Sequence, residues 1–276
     1  MNQYVWLNNK IVECDTQGLV FCQEGFLYAQ GLFETMRTYN GKVFLLDKHI
    51  KRLIGSCGLL EIKTPDFELL ERSVKETVKH NSLNSGYIRL NVYKTHDGFG
   101  VFVFTKQMPF FSKKDFRDGF TATIINDVRQ NDTSPLSGVK SLNYYFHRML
   151  SQKAARAGVD EAIILNTKGH VCEGSRSNIF IVKDKKVKTP PLSSGCLRGV
   201  TREAVMGIAR ELNFGLEETN ITPQECLASD EVFLTNSLIE IMPVTKIDEE
   251  VIGKWVSGNI ASAIYDRYHE IIDSEY

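Results

Sequence analysis

The sequence lacks an excess of charge of either sign. Its 276 residues include 33 Lys and Arg against 34 Asp and Glu, a formal net charge of -1 at pH 7, and both signs are spread along the chain. It therefore has no broad basic field of the kind that binds nucleic acid or an anionic membrane. It also has no apolar run near the ~18 residues of a membrane helix, and its start, MNQYVWLNNK, has no basic stretch followed by an apolar one. These absences predict a cytoplasmic protein with no nucleic-acid or membrane partner.

Cysteine is scarce and widely spaced. Neighbouring cysteines are at least 8 residues apart, so no CxxC pair offers a zinc site or a redox couple. We therefore predict reduced core thiols and no metal site. Apolar residues make up 42% and charged residues 24% of the chain, as in ordinary globular enzymes and binding proteins, and the length favours two medium domains. The cysteines are Cys14, Cys22, Cys57, Cys172, Cys196 and Cys226.

The first hundred residues combine strand and helix signals. Short apolar stretches, YVWLNNKIV and GLVFC, precede GLFETMRTYNGKVFLL, in which Asn40-Gly41 between two β-prone runs indicates a hairpin. Apolar residues at helical spacing behind a possible Asp47 cap predict a helix, residues 66–80 predict a second, and GYIRLNVYK and GVFVFTK return to strand. We predict an N-terminal α+β domain over residues 1–114, ended by the linker QMPFFSKKDFRDG.

The second half alternates differently and predicts a C-terminal α/β domain over residues 115–276. The segments FTATIINDV, EAIILN, NIFIV and DEVFLTNS have strand character, whereas YYFHRMLSQKAARAG and VTREAVMGIAREL have helical spacing. No segment of about 20 to 50 residues repeats, which argues against a solenoid. The expected fold class is α/β (α+β), with two α/β layers rather than a doubly wound sheet.

One lysine has a distinctive position. Lys140 follows the turn-forming segment NDTSPLSGV and precedes helix-prone residues. Most lysines are simply solvated, so position alone favours a surface role. A lysine that does covalent chemistry usually forms a Schiff base with a carbonyl substrate or with pyridoxal phosphate. That cofactor needs an acidic partner for its pyridine nitrogen, and it needs helix N-terminal N–H groups, hydroxyls and an arginine for its phosphate.

The sequence contains a candidate for each of these requirements. Gly199 and Thr201 begin an amphipathic helix, the Thr-Asn-Ser run from Thr235 ends a strand, and Arg52 lies on a helix beside apolar residues. An ordinary helix cap, a turn and a surface arginine would give the same patterns. Glu173 sits at a strand-to-turn junction between a cysteine and a glycine, an odd place for a purely solvating acid.

Six blocks occur in an order that resembles the fold-type IV pyridoxal-phosphate enzymes: GLFETMRTYNG, DKHIKRL, VKSLNYY, VCEGSRSNIF, CLRGVTRE and DEVFLTNSLIEIMPV. This family (class IV aminotransferases) includes branched-chain and D-amino-acid aminotransferases and aminodeoxychorismate lyase. The resemblance extends from the first strand to about Lys246. It implies a two-domain fold like that of D-amino-acid aminotransferase, with pyridoxal 5'-phosphate between the domains, and a homodimer with active sites near the subunit interface.

The resemblance also implies residue roles. Lys140 would hold the cofactor as an internal aldimine and then move protons at the substrate carbon and at the cofactor's C4′. Glu173 would be the partner of the pyridinium nitrogen. The phosphate would be bound by Arg52, Gly199, Val200, Thr201 and Thr235.

Within the family, GLFETMR and LTNSLIEIMPV are most similar to aminodeoxychorismate lyase. The favoured activity is therefore 4-amino-4-deoxychorismate lyase, which yields 4-aminobenzoate and pyruvate. Similar D-amino-acid aminotransferases usually carry tyrosine where Phe33 stands and a carboxylate-binding arginine near Lys94. The alternatives are a branched-chain or D-amino-acid aminotransferase, and a noncatalytic small-molecule binding protein that has lost the cofactor.

The substrate carboxylate has three candidate partners on one predicted hairpin, Arg89, Lys94 and His96. Side chains alternate between the two faces of a strand, so Arg89 lies on the opposite face from Lys94 and His96. Only one of these faces can line the pocket.

Overall fold

The computed structural model describes residues 4–7, 10–13, 23–107, 111–253 and 259–276. The N-terminal elements are β1 (Tyr4–Leu7), β2 (Lys10–Glu13), α1 (Glu24–Leu27), β3 (Gly31–Tyr39), β4 (Lys42–Val43), α2 (Leu46–Cys57), α3 (Phe67–His80), β5 (Gly86–Thr95) and β6 (Gly98–Gln107). The C-terminal elements are α4 (Lys113–Asp118), β7 (Phe120–Gln130), α5 (Tyr145–Arg156), β8 (Glu161–Asn166), β9 (Val171–Gly174), β10 (Asn178–Lys183), β11 (Lys186–Thr189), α6 (Val200–Glu211), β12 (Gly215–Glu218), α7 (Pro223–Leu227), β13 (Glu231–Asn236), β14 (Glu240–Ile247), β15 (Glu250–Val251) and α8 (Ile260–Glu275).

The N-terminal sheet has the antiparallel order β4-β3-β5-β6 and packs one face against α2 and α3. Leu32 and Met36 on β3 and Leu90 on β5 point into this core, where each is at most 1% exposed. Side chains alternate along a strand, so the intervening residues Phe33 and Arg89 lie on the other face. That second face forms one wall of the cavity described below.

Local signals placed most of the N-terminal elements correctly. The predicted hairpin is confirmed: Asn40 and Gly41 have φ of 48° and 79° in the turn between β3 and β4. The second predicted helix is confirmed as α3. The predicted Asp47 cap is wrong, because the N-cap residue of α2 is Leu45, at φ 49°, and Asp47 lies in the first helical turn.

The C-terminal sheet is mixed, with the order β12-β11-β10-β13-β14-β7-β8-β9, and β15 pairs with β14. Strands β14, β7 and β8 are parallel neighbours, whereas β10, β13 and β14 are antiparallel. Helices α6 and α8 cover one region of it through a core that includes Phe180 and Phe233, whose rings stack at 5.0 Å. Helix α5 packs on β7 and β8 through Leu150 and Ala154. The fold is therefore mixed α/β, as the sequence predicts.

The predicted linker contains a helix. Helix α4 begins after Ser112, whose hydroxyl accepts from the backbone N–H of Asp115 in a capping box, and Phe116 packs into the core of the C-terminal sheet. The predicted boundary between residues 114 and 115 falls inside this helix. Residues 108–110, the apolar stretch GLVFC, Cys14 and Cys22 lie outside the described residues. The other four cysteines are buried free thiols. Within the described ranges, no helix is long and apolar enough to cross a membrane.

Candidate active site

A cavity of about 560 Å³ lies between the N-terminal sheet and the C-terminal sheet. The free face of β3 and β5 forms one side, and the ends of β9 and β13 together with the first turns of α5 and α6 form the other. Aromatic and polar groups mix in its wall, as in small-molecule sites. The wall contains most of the residues singled out in the sequence: Phe33, Arg52, Arg89, Lys140, Glu173, Gly199, Val200, Thr201 and Thr235.

Lys140 is held in the cavity by its own backbone. The Phe33 N–H donates to the Lys140 carbonyl oxygen (2.9 Å), and the Leu142 N–H donates to the carbonyl oxygen of Gly31 (2.8 Å), so the lysine segment is bonded to the edge of β3. The Lys140 Nζ lies 4.5 Å from the centre of the Phe33 ring and 5.5 Å from that of Tyr144. The lysine therefore points inward, toward a partly aromatic wall.

The cavity makes the Lys140 amine easier to deprotonate than an ordinary lysine. Burial, followed by the nearby Arg52 charge, lowers the pKa of Lys140 from 10.5 to about 8, although Glu34 and Glu173 act in the opposite direction. A lower pKa leaves a larger fraction of the amine neutral near pH 7, and the neutral amine is the nucleophile. Lys140 is thus suited to bond to a carbonyl carbon.

Glu173 presents a carboxylate to the cavity from β9. Its side chain is 8% exposed, and β9 places it beside Ile164 of β8. The Leu197 N–H donates to its Oε2 (2.9 Å), and His147 Nε2 lies 3.2 Å from its Oε1. A carboxylate oxygen can accept more than one hydrogen bond, so Glu173 can also accept from a protonated ring nitrogen in the cavity.

The N-terminus of α6 forms an anion-binding end of the cavity. Gly199 is the N-cap residue, and a Cβ there would lie 2.0 Å from Asn178 Oδ1, so a larger residue would have to displace the Asn178 side chain. Thr201 in the first turn is 3% exposed. Thr235 is 1% exposed, and its Oγ1 finds no hydrogen-bond partner in the described part of the chain. Free helix N–H groups and an unpaired buried hydroxyl in the cavity wall fit a phosphate group.

Arg52 reaches this end of the cavity from α2 and is oriented by a buried acid. Its Nε donates to Glu34 Oε1 (2.8 Å) and its Nη1 to the Arg198 carbonyl oxygen (2.8 Å). His49 Nδ1 lies 2.7 Å from the other oxygen of Glu34. Burial alone would raise the pKa of Glu34, but the Arg52 charge and the His49 hydrogen bond outweigh it and hold that pKa at about 2. The Arg52 side chain is 13% exposed, so the guanidinium is held inward.

The candidates for the substrate carboxylate separate as strand alternation requires. Arg89 lines the cavity, with its guanidinium carbon 3.7 Å from the centre of the Phe33 ring and its Nε donating to Asn91 Oδ1 (2.9 Å). The structure does not bring Lys94 or His96 to the cavity wall. Lys94 Nζ faces the carboxylate of Glu24 at 3.7 Å, and His96 is exposed at the far end of the β5–β6 hairpin.

Sequence reasoning missed several residues of this site. Tyr144 and His147, with rings stacked at 4.7 Å, lie in the cavity wall, and the Tyr144 hydroxyl donates to the Ser175 carbonyl oxygen (3.3 Å). Glu34 and His49 orient Arg52 from behind. In the sequence, the aromatic run at the start of α5 looks like ordinary helix core, and nothing links His147 to Glu173, 26 residues away.

Comparison with known proteins identifies relatives over nearly the whole chain. The family model for "Amino-transferase class IV" matches residues 31–247. The chain is 36% identical to a Methanocaldococcus jannaschii protein named "Putative branched-chain-amino-acid aminotransferase", over 97% of this chain and 96% of that one. It is 31% identical to the D-alanine aminotransferase of Bacillus licheniformis, over 98% of both chains.

Solved structures share the fold. The branched-chain aminotransferase of Thermoproteus uzoniensis with norvaline superposes with a TM-score of 0.83 at 31% identity, over 100% of this chain and 96% of that one. A Legionella pneumophila protein named "Putative 4-amino-4-deoxychorismate lyase" has a TM-score of 0.81 at 23% identity, over 92% of this chain and 94% of that one. At that identity the second likeness shows the fold alone.

The geometry agrees with these likenesses, because the cavity has the groups that pyridoxal phosphate requires. Lys140 can bond to its aldehyde, Glu173 can hold the ring nitrogen, and the N-terminus of α6 with Thr235 can take the phosphate. Its aminated form, pyridoxamine 5'-phosphate, is present in one solved structure of similar fold. The chain therefore belongs to the class IV amino-transferase family of pyridoxal-phosphate enzymes.

Proposed function

We propose that this protein is an amino-acid aminotransferase that acts on branched-chain amino acids. The observation that supports this choice is the 36% identity, over 97% of the chain, to a relative named for that activity. The lyase favoured by the sequence motifs has only a fold-level likeness at 23% identity in its support, so the alternative activity takes its place. D-Alanine transamination is the second candidate, because a D-alanine aminotransferase is 31% identical over 98% of the chain.

In this proposal the two ends of the cavity bind the two ends of the cofactor. Arg52, the backbone N–H groups of α6 from Gly199 to Thr201, and Thr235 bind the phosphate. Glu173 accepts a hydrogen bond from the protonated pyridine nitrogen. When bound, pyridoxal phosphate supplies an electron sink for the bonds at the substrate α-carbon.

Lys140 performs the proton transfer. Its amine would hold the cofactor through the aldehyde. When free of the cofactor, the same amine would accept the proton of the substrate α-carbon and could donate a proton again within the cavity. A pKa of about 8 suits this role, because an amine whose pKa is close to neutral can both accept and donate a proton near pH 7.

Arg89 and the aromatic wall select the substrate. The Arg89 guanidinium covers the Phe33 ring, and its Nε donates to the neutral amide of Asn91 and not to a carboxylate. We propose that it binds the α-carboxylate of the amino acid. Phe33, Phe111 and Ile239 line the same cavity and can contact an aliphatic side chain.

We further propose a cytoplasmic homodimer, with each chain divided into domains at residues 114 and 115. Phe102 and Phe104 on β6 are 57% and 45% exposed, and they pair in register with Asn91 and Arg89 on the cavity side of the sheet. An aromatic patch of this kind is costly in water, and a second copy of the chain would cover it beside the cavity. Light scattering of the purified protein tests this: a mass of twice 31.3 kDa is expected, and a monomer would contradict it.

One set of assays separates the activities. The purified, yellow protein receives L-leucine with 2-oxoglutarate, D-alanine with 2-oxoglutarate, or aminodeoxychorismate. We expect glutamate and the branched-chain 2-oxo acid from the first mixture. Pyruvate and glutamate from D-alanine alone would favour the second candidate, and 4-aminobenzoate would restore the lyase. A protein that stays colourless with added pyridoxal phosphate would indicate a noncatalytic binding protein.

A further inference from the structure

A histidine that none of the roles above includes touches the acid at the ring end of the cavity. His147 is in the first turn of α5, and its Nε2 lies 3.2 Å from Glu173 Oε1. Its side chain is 16% exposed, and it lines the same cavity as Lys140. The contact joins a helix to a strand 26 residues later in the chain, so it depends on the tertiary fold.

The His147 ring is fixed on two sides. It stacks on Tyr144 with a centroid distance of 4.7 Å and an interplanar angle of 8°, and the Phe146 ring meets it edge-on at 5.6 Å. Tyr144 is itself held through its hydroxyl, which donates to the Ser175 carbonyl oxygen at 3.3 Å. A ring held in this way points its Nε2 at Glu173 without further loss of side-chain entropy on cofactor binding.

The chemistry of the pair defines the direction of the hydrogen bond. An ionised carboxylate can only accept, so His147 Nε2 carries the hydrogen and donates it to Glu173 Oε1. The Leu197 N–H donates to the other oxygen at 2.9 Å. With one donor on each oxygen, the carboxylate cannot rotate about its last torsion without losing both bonds.

We propose that His147 is a positioning residue for the cofactor: it fixes the Glu173 carboxylate in the orientation that holds the proton on the pyridine nitrogen. The buried acid Glu161 does not share this role, since its oxygens are already engaged by Ser175 and Ser177. The inference rests on the proposed binding of the cofactor ring by Glu173, but not on the identity of the amino-acid substrate.

Two substitutions separate the hydrogen bond from the packing of the ring. His147→Phe keeps a ring that can stack on Tyr144 but has no donor, whereas His147→Gln loses the ring and keeps an amide N–H donor at a reach close to that of Nε2. His147→Asn supplies an amide too short to reach Glu173. It replaces the Phe variant in the comparison if that protein does not fold.

The main readout is the absorbance of the lysine-bound cofactor in the holoenzyme, titrated with pH in the absence of any amino acid. In His147→Phe we expect the pH midpoint of this titration to rise by roughly one unit. The reason is that a less protonated pyridine nitrogen repels the protonated nitrogen that joins the lysine to the cofactor less strongly. We also expect kcat with the preferred amino acid to fall about ten-fold with little change in KM. His147→Gln should titrate and turn over like the wild type.

The possible results separate clearly. A His147→Phe protein that titrates like the wild type overturns the inference, and so does a His147→Gln protein that is altered as much as the Phe variant, since ring packing would then be the cause. If the wild type shows no lysine-bound cofactor band, the proposed function itself fails. If the band is present and only the Phe or Asn variant shifts it, the inference is supported whichever substrate is used.

Discussion

Two buried carboxylates, Glu34 and Glu173, act electrostatically on Lys140, and their surroundings differ. Glu34 is completely buried, and both its oxygens are engaged by the charged Arg52 and by His49. Glu173 is nearly as buried, but it receives one backbone N–H and one imidazole N–H, and it lines the cavity. Both act on the lysine, because each raises the pKa of Lys140.

The difference shows that burial and negative charge do not by themselves identify a functional acid. Glu34 uses its acceptor capacity on two side chains of α2, so its role is to orient Arg52. Glu173 keeps acceptor capacity directed at the cavity, so it can bind a group that enters from outside. Each substitution below acts on one side of this comparison.

Removing the amine on which both acids act has the largest expected effect. Lys140→Met should abolish transamination and the lysine-bound absorbance, because no other described lysine lines the cavity. The measurement is turnover together with borohydride reduction, which fixes the cofactor to the lysine that carries it. Lys94→Met, a half-buried lysine outside the cavity, is the matched control and should retain both properties. Absorbance retained in the Lys140 variant would show that another lysine is used.

Glu34→Gln tests, through protein stability, the acid whose two oxygens are both paired with side chains of the protein. Neutralising it leaves Arg52 and His49 without their shared anion, and breaking a buried ion pair costs about 3–5 kcal/mol. The wild-type stabilisation also depends on pH. With the Glu34 pKa at about 2, against 4.5 when unfolded, it is complete above pH 4.5 and lost as the pH falls toward 2, by about 3 kcal/mol.

Urea unfolding of the cofactor-free protein between pH 7 and pH 3 measures this effect. The Glu34→Gln protein should lose less stability on acidification than the wild type does. Glu61→Gln, at a site whose side chain is 85% exposed, is the control and should leave both the stability and its pH dependence unchanged. If the Glu34 variant and the wild type lose the same free energy of unfolding between pH 7 and pH 3, the pairing of Glu34 with Arg52 and His49 does not stabilise the protein as proposed.

Glu173→Gln tests, through turnover, the acid that can still accept a hydrogen bond from a group in the cavity. The amide has the same shape, but it cannot stabilise a proton on the ring nitrogen as a carboxylate does, so turnover should fall by about 10²-fold while the cofactor stays bound. The measurement is kcat with the preferred amino acid under saturating cofactor. The matched comparison is the kcat of the folded Glu34→Gln protein, which should fall less than that of Glu173→Gln. Unchanged turnover in Glu173→Gln would rule out its pyridinium role.

Arg52→Ala connects the two regions, because Arg52 contacts both Glu34 and the phosphate end. Loss of a charge-assisted hydrogen bond should weaken cofactor binding by about 1.5–3 kcal/mol. Arg52→Lys keeps the charge without the planar fork and should lose less. Titration of the cofactor-free protein with pyridoxal phosphate measures the dissociation constant. If the constant does not change in Arg52→Ala, the guanidinium serves only Glu34.

Much of the fold could be predicted because its signals are local. The Asn40-Gly41 turn and helix α3 each depend on residues within a few positions of one another. The start of α2 does not: Leu45 adopts its left-handed conformation where its N–H donates to the Tyr276 hydroxyl, 231 residues away (3.2 Å). Local capping rules contain no information about that partner, so the Asp47 cap was wrong.

The same limit applies to the site. Lys140, Glu173, Thr201 and Thr235 were identified because their blocks resemble a family pattern, and the structure brings them into one cavity. His147 belongs to no such block, and Glu34 lies within GLFETMRTYNG but carried no role there, since each acts through a partner that only the fold brings near. Strand alternation separated Arg89 from Lys94 correctly, but it could not say which face meets the cavity.

The smallest expected effect concerns the cofactor-free protein, in which Lys140 has no aldehyde to bond. Its folded pKa of about 8 is below the unfolded value of 10.5, so the unfolded chain binds more protons between these values and stability rises with pH across that window. Below pH 8 the half-buried ammonium therefore costs folding free energy. Lys140→Met should raise the free energy of unfolding at pH 7 by about 1–3 kcal/mol and remove the rise between pH 8 and pH 10. Urea unfolding at pH 7, pH 8 and pH 10 measures both effects. A Lys140→Met protein no more stable than the wild type at pH 7 would show that Glu34 and Glu173 fully compensate the buried charge.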